Sequence, residues 1–159
     1  MRRMTVYLGI LAVAACGWCV VSAATKNNAP ATGPEWLTSV PKASAEAKKA
    51  SRLILADFTG SDWCGWCMKL KAEVFDTPEF KDWAGKTVVL LELDFPKTKK
   101  QDEATKKQNQ AMAQKYNVRG FPTIHFLKAD GTSVGTMGYQ EGGPKAWIES
   151  AQKILDAAK

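Results

Sequence analysis

The sequence predicts an α/β fold in which helices sandwich a mixed central β-sheet. Apolar runs of strand length alternate along the chain with stretches whose apolar residues recur at helical spacing. The last two strand candidates are separated by Asp130-Gly131, a hairpin turn signal. With 159 residues, of which 45% are apolar and 24% charged, the chain has the size and composition of one globular domain.

The first predicted elements lead to a pair of cysteines. Residues 41–51, rich in Ala, Lys and Glu, predict a helix, and the apolar run 53–58 predicts a strand covered on both faces. After a loop at 59–63, we expect a helix over 64–75 because its apolar residues share one stripe. The stripe consists of Cys67, Leu70, Val74 and Phe75.

The middle of the chain continues the alternation of helix and strand. Residues 77–83 predict a short helix with proline in its first turn, and residues 88–93 predict a second strand. Residues 101–116 predict a polar helix whose inner face includes Ala104, Ala111, Met112 and Tyr116.

The C-terminal part predicts two strands and a closing helix. The strands cover 123–127 and 133–137, Gly142-Gly143-Pro144 breaks the chain, and the helix covers 145–158. The order is therefore a helix followed by βαβαββα. Successive strand–helix units favour parallel neighbours, and the final hairpin adds an antiparallel strand.

The N-terminus has the pattern of an export signal, because two arginines precede an uncharged apolar run over 4–24. Three fates fit this run: cleavage after Val21-Ser22-Ala23, lipidation of Cys16 after Val13-Ala14-Ala15, or retention as an anchor. An anchor is included because the 21 apolar residues are long enough to span a bilayer. All three place the folded domain outside the cytosol, in the periplasm or cell envelope.

Composition divides the chain into three parts. We expect residues 1–23 to be a signal peptide or lipoprotein signal. Residues 24–34 are small, polar and proline-containing, which predicts a flexible tether. Residues 35–159 then form the folded domain.

The four cysteines form two identical CGWC tetrapeptides. Cys16 and Cys19 lie in the export segment, whereas Cys64 and Cys67 follow a predicted strand. Neither pair is joined by the two further ligands that a zinc site needs, and His125 is the only histidine. The sequence therefore predicts no resident metal and no cofactor. A hydrolase that needs a histidine base would have His125 as its one candidate.

The positive charge does not indicate a nucleic-acid site. The formal net charge is +6, and lysines concentrate within 97–107. Asp102 and Glu103 interrupt these lysines, and no arginine or aromatic residue accompanies them. We therefore interpret the segment as a solvated loop and helix face and expect no nucleic-acid partner.

Cys64 and Cys67 are predicted to have different chemical roles. Two cysteines three residues apart in a first helical turn are close enough to form a disulfide. Cys64 lies at the helix N-terminus, where unpaired N–H groups and the positive end of the dipole favour the thiolate. Cys67 lies one turn further on, on the apolar stripe, where burial favours the neutral thiol. The spacing predicts that Cys64 attacks a substrate disulfide and that Cys67 resolves the mixed disulfide.

The segment Trp63-Cys64-Gly65-Trp66-Cys67 resembles the active-site segment of thioredoxin and its exported relatives. The resemblance includes Leu55-Ala56-Asp57-Phe58 upstream and Val118-Arg119-Gly120-Phe121-Pro122-Thr123 downstream, and it covers residues 35–155. A CxxC pair alone is a weak motif. A CxxC that follows a strand, opens a helix and precedes a Gly-aromatic-Pro-Thr sequence is a specific one.

The resemblance implies the thioredoxin fold and a role for each matched residue. Pro122 corresponds to the cis-proline beside the CxxC, which lets the backbone of Phe121 pair with a substrate strand. Asp57 corresponds to the buried carboxylate that exchanges a proton with the resolving cysteine. Trp63 corresponds to the indole that shields the nucleophile, and Phe121 and Trp66 are expected to contact the substrate.

Three positions depart from thioredoxin. Trp66 stands where thioredoxin has proline, which changes the stability of the disulfide relative to the dithiol. The loop 59–62 is one residue longer, which puts the placement of Asp57 in question. Leu90 stands where thioredoxin has a lysine near the buried carboxylate, so that charge pair is expected to be absent.

The function that these features predict is a thiol–disulfide oxidoreductase of the cell envelope, acting as a reductase or isomerase. Its partners would be protein thiols and disulfides and an unidentified membrane or envelope electron donor, and we expect a monomer. One alternative is a copper-handling module in which Cys64, Cys67 and His125 bind Cu(I). A second is a thioredoxin-like interaction domain without redox turnover, although such a domain usually lacks one of the two cysteines.

Overall fold

A five-stranded sheet forms the centre of the protein in a computed structural model that describes residues 33–158. The strands are β1 (Trp36–Leu37), β2 (Leu53–Thr59), β3 (Val88–Asp94), β4 (Thr123–Leu127) and β5 (Ser133–Met137). The helices are α1 (Val40–Ala50), α2 (Gly65–Leu70), α3 (Pro78–Thr87), α4 (Glu103–Lys115) and α5 (Gly143–Ala157), with a π-helical turn over Lys71–Phe75 directly after α2. Within the described residues, no helix has the length and hydropathy needed to cross a membrane.

The sheet is mixed, with strand order β1-β3-β2-β4-β5. β1 and β2 both lie parallel to β3, whereas β4 is antiparallel to β2 and to β5. The antiparallel β4 differs from the expected parallel arrangement. Thr59 pairs with Asp94 and Phe58 pairs with Thr123, so the chain leaves β3 and enters β4 at the same end of the sheet. β4 must therefore run back along β2.

The two faces of the sheet bury separate apolar clusters. On the face that we call the α5 face, Leu55 packs with residues of α3 and α5, including the fully buried Phe80 and Trp147. On the opposite face, the α1 face, Phe58 packs with small residues of α1 and the inner side of α4. Because side chains alternate along β2, Asp57 shares the α5 face with Leu55.

The predicted elements are confirmed with small changes in their ends, and three details were wrong. β1 was missed because two residues are too few to show a strand pattern. The helix expected over 64–75 changes to a π-helical turn, and the wider turn allows the adjacent Val74 and Phe75 both to be buried. Of the residues expected on the inner face of α4, Met112 and Tyr116 pack against the core, whereas Ala104 and Ala111 are exposed. α4 also buries Asn109, whose amide donates to the carbonyl oxygen of Asp94 at 2.8 Å.

The predictions for the N-terminus mostly concern residues outside the described range. The signal over 1–23, the cleavage site and the lipidation of Cys16 all lie before residue 33, as does most of the tether over 24–34. They remain predictions from sequence.

Candidate redox site

The two cysteines lie at the junction between the loop after β2 and the helix α2. Cys64 is the N-cap residue of α2, and its Sγ accepts a hydrogen bond from the backbone N–H of Cys67 at 3.2 Å. The two residues form a disulfide with their Cα atoms 5.2 Å apart. Both are buried, with 6% of Cys64 and 4% of Cys67 exposed. In the reduced protein, the same N–H donor and helix end favour a thiolate on Cys64.

Trp63 lies beside the disulfide and is fixed by the loop after β3. Its indole N–H donates to the carbonyl oxygen of Phe95 at 2.8 Å. The ring also lies against the backbone of Gly60, where an added Cβ would come within 2.6 Å of the indole Cε2. Residue 60 must therefore be glycine because the Trp63 ring approaches its backbone closely, and not because of its own backbone angles.

The peptide bond between Phe121 and Pro122 is cis, as the sequence predicted for Pro122. The ring of Phe121 packs edge-on against Trp63, with centroids 5.8 Å apart, and against Phe95 at 5.1 Å. These contacts bring the start of β4 to the redox loop, although β4 follows Cys67 by more than fifty residues. The loop before β4 and the CGWC loop thus form one surface.

Trp66 is the most exposed large apolar side chain of this surface, with 57% of its area accessible. Its ring lies 5.2 Å from that of Tyr139, and the ammonium of Lys69 lies 5.2 Å from the Trp66 ring and 5.0 Å from the Tyr139 ring. The Tyr139 hydroxyl donates to Glu73 at 2.7 Å. Sequence reasoning missed Tyr139, since no local pattern links it to the cysteines.

Asp57 lies beneath the disulfide in a cavity of about 380 Å³ that Cys67, Lys71 and Glu92 also line. Only 6% of Asp57 is exposed, and its Oδ1 has no hydrogen-bond partner among the described residues. Burial, followed by the charges of Glu92 and Asp94, raises the pKa of Asp57 to about 8 against the opposing effect of Lys71. The carboxyl group is thus mostly protonated at neutral pH in the oxidised protein.

Two charged residues around Asp57 were not found from sequence. Glu92 is the direct partner of Asp57 across the parallel strands, and burial followed by the charge of Asp94 raises its own pKa. Lys71 comes from the π-helical turn. Leu90, which stands where thioredoxin has a lysine, is buried among apolar side chains. No lysine side chain therefore reaches Asp57 from that position. Alternation of side chains along a strand would have placed Glu92 opposite Asp57 if the register between β2 and β3 had been known.

His125 does not belong to the redox site. It lies on the α1 face of the sheet, where its ring packs against Phe58 and Tyr116 and its Nδ1 is 3.0 Å from the Ser133 hydroxyl. Burial lowers its pKa. Cys67 lies on the opposite face, so His125 cannot complete a copper site with the cysteines. Between residues 33 and 158, no group of three or more His, Cys, Asp or Glu side chains has a geometry suited to a metal.

Residues 40–151 match the family model of the thioredoxin-like domain. The chain belongs to the thioredoxin-like family. The disulfide bond reductase DsbH of Chlamydia pneumoniae is 35% identical over 117 residues, which cover 74% of this chain and 70% of the relative. The thioredoxin-related protein DsbJ of the same organism is 30% identical over 110 residues, covering 67% of this chain but 32% of the relative.

Solved structures agree with this family assignment. A DsbH oxidoreductase superimposes with a TM-score of 0.75 at 34% identity, covering 79% of this chain and 86% of the other. A thioredoxin from Thermus thermophilus shares the fold, with a TM-score of 0.58 at 18% identity, over 77% of this chain and 88% of the other. With a CxxC pair joined as a disulfide at the expected place, this thioredoxin-like protein is a protein thiol–disulfide oxidoreductase.

Proposed function

We propose that this protein reduces protein disulfides in the cell envelope, with Cys64 as the nucleophile and Cys67 as the resolving cysteine. The observation that carries the proposal is the Cys64–Cys67 disulfide at the start of α2, in which Cys64 Sγ already accepts a helical N–H. The reductive direction is supported by the similarity to the relative named a disulfide bond reductase.

The reaction begins from the dithiol form. The Cys64 thiolate attacks one sulfur of the substrate disulfide, and the other substrate sulfur leaves as a thiolate. The Cys67 thiol then loses its proton and attacks Cys64 Sγ. The mixed disulfide breaks, the second substrate sulfur leaves, and the Cys64–Cys67 disulfide forms. The substrate gains two electrons and the protein loses two.

Asp57 is the proposed acceptor of the Cys67 proton. It lines the same cavity as Cys67, and with a pKa of about 8 its ionised form, which alone can accept the proton, is the minor form at neutral pH and becomes more abundant as the pH rises. Its Oδ1 has no hydrogen-bond partner among residues 33–158, so no such contact competes with the proton at that oxygen.

The proposed substrate surface surrounds the disulfide. The cis bond before Pro122 presents the backbone of Phe121 next to Trp63, and this backbone would pair with an extended substrate segment. Trp66 adds an exposed ring on the other side of Cys64. Trp63 would cover the nucleophile between turnovers.

The cellular setting is part of the proposal. The export pattern over 1–23 supports a location outside the cytosol, with residues 24–34 as a tether and 35–159 as a monomeric domain. Each turnover leaves the protein oxidised, so an electron donor of the membrane or envelope must reduce it again.

Trapping with single-cysteine variants tests the assignment of roles. Cys67→Ser should accumulate mixed disulfides with protein partners, because Cys64 attacks but cannot be released. The matched variant Cys64→Ser should not accumulate them. In the reduced wild type, Cys64 should be alkylated faster than Cys67 near neutral pH. Equal, slow alkylation of both thiols, or equal trapping by both variants, would contradict the roles.

A glutathione redox titration of the Cys64–Cys67 couple tests the direction. A reduction potential near that of thioredoxin, about −270 mV, fits a reductase, whereas a value near −120 mV would indicate an oxidase and refute the proposed direction.

A further inference from the structure

Asp62 fastens the loop after β3 to the redox loop. Its carboxylate accepts hydrogen bonds from the backbone N–H groups of Lys97 at 2.9 Å, Thr98 at 2.7 Å and Lys99 at 2.9 Å, and from the Thr98 hydroxyl at 2.6 Å. The Thr98 hydroxyl, followed by the Lys97 N–H, holds the pKa of Asp62 well below its usual range. Asp62 is therefore ionised at physiological pH, and the loop is fixed two residues from Cys64.

Further contacts hold lysine side chains in the same place. The ammonium of Lys97 lies 4.0 Å from the centre of the Trp63 ring, a cation–π contact. The ammonium of Lys99 donates to the Ser61 hydroxyl at 2.9 Å, and that hydroxyl donates to Asp94 at 2.6 Å. The charge of Lys97 is thus held at Trp63, one residue before Cys64, and the charge of Lys99 at Ser61, three residues before Cys64.

Three lysine side chains at this edge form no direct ion pair within the described residues. Lys97, Lys99 and Lys100 are exposed, and none forms an ion pair with a carboxylate of residues 33–158. The nearby carboxylate of Asp62 is already bonded to backbone N–H groups. Lys99 also faces Glu92 in the cavity, where it lowers the pKa of that group. We call Lys97, Lys99 and Lys100 the basic rim.

We propose that the basic rim is a docking surface for an acidic segment of the protein whose disulfide Cys64 attacks. The inference rests on the proposed function, and it adds the chemistry of the substrate. Lys97 of the rim lies on the Trp63 ring, and that ring packs against the side chain of Phe121, whose backbone would pair with an extended segment. Carboxylates beside the substrate cysteine would therefore meet fixed ammonium groups.

Electrostatic docking acts on the encounter between the proteins. Complementary charges mainly raise association rates, and salt screens them over about 10 Å at 0.1 M. The rim should therefore affect KM and its salt dependence, with little effect on kcat. An alternative role for the lysines is to stabilise the Cys64 thiolate, which would change the reactivity of Cys64 toward every disulfide.

Three disulfide-bonded peptides test the proposal. They are identical except for the two residues next to the cysteine, which are both Glu, both Gln or both Lys. With wild-type protein at about 0.02 M salt, kcat/KM should be roughly tenfold higher for the Glu peptide than for the Lys peptide. The difference should collapse at about 0.5 M salt. The combined variant Lys97→Gln, Lys99→Gln, Lys100→Gln should remove most of the preference through KM, with a much larger loss of kcat/KM for the Glu peptide than for the Gln peptide.

A matched variant separates local docking from net charge. Lys42→Gln, Lys48→Gln, Lys49→Gln removes three exposed lysines from α1, which contributes no residue to the redox site, and should keep the preference for the Glu peptide. The proposal is overturned if all three peptides react equally at low salt, if the α1 variant loses the preference equally, or if Cys64 alkylation slows in parallel with peptide reduction. If even the Gln peptide is not reduced by the wild type, the proposed function fails, and the docking role fails with it.

Discussion

Replacing Asp57 by asparagine should stabilise the oxidised protein at neutral pH. Asp57 is buried without a partner for Oδ1 in the described range, and burial raises its pKa from 3.8 to about 8. Between these values, the unfolded chain carries an ionised carboxylate, whereas the folded chain keeps it protonated. Ionisation of the Asp57 carboxyl group therefore stabilises the unfolded chain in this pH range, because the folded chain cannot ionise it.

The magnitude follows from the two pKa values. Each unit between them corresponds to 1.36 kcal/mol, and pH 7 lies about three units above the unfolded value, so the linkage amounts to about 4 kcal/mol. The pKa of Asp57 is higher in the folded than in the unfolded chain, and this sets the direction in which stability changes with pH. Stability is fully present below about pH 4, is lost as the pH rises toward about 8, and is constant above that value. An amide does not ionise, so Asp57→Asn should recover about 2–4 kcal/mol at pH 7, less any cost of burying the amide N–H groups.

Denaturant unfolding of the oxidised protein at several pH values measures this effect. The difference between Asp57→Asn and wild type should be large near pH 7 and should vanish near pH 4. Glu149→Gln removes one negative charge from an exposed position of α5 and should leave the pH dependence unchanged. The reasoning would be refuted by an Asp57→Asn variant that is no more stable than wild type at pH 7, or by a difference that does not depend on pH.

Three further substitutions probe the surroundings of the site and the core. Glu92→Gln removes a negative charge opposite Asp57 and should lower the pKa of Asp57 by about one unit in a carboxyl carbon NMR titration, whereas an unchanged value would exclude the coupling. Gly60→Ala should cost about 1–3 kcal/mol of unfolding free energy and change the fluorescence of Trp63, because the new methyl group displaces the indole; an unchanged spectrum and stability would contradict this contact. Trp147→Ala should cost about 3–5 kcal/mol, since the ring is fully buried among aromatic side chains; a loss below about 1 kcal/mol in denaturant unfolding would show that the core repacks.

Local sequence patterns were sufficient for most of the fold. β2, β3 and β4 are short, mostly apolar runs with Gly, Pro or Asp close after them, and such runs predict strands regardless of their partners. β5 was predicted from the Asp130-Gly131 hairpin turn before it. The inner face of α4 was predicted in part: Met112 and Tyr116 pack against the core, but the buried residue of this polar helix is Asn109, which is held by a hydrogen bond to β3. An apolar stripe cannot reveal that kind of burial. The two-residue β1 likewise has no pattern of its own.

The sequence by itself determined the chemistry of this protein. Cys64 and Cys67 at a helix start form a disulfide-exchanging pair through neighbouring residues alone, and Pro122 was recognised from its own short motif. Only the tertiary structure decided what surrounds the pair: Glu92 against Asp57, and Lys97 against Trp63. These contacts join positions about 35 residues apart in the chain, and they depend on strand register and loop packing. The redox reaction was therefore predictable from sequence, whereas the charges placed around the cysteine pair were not.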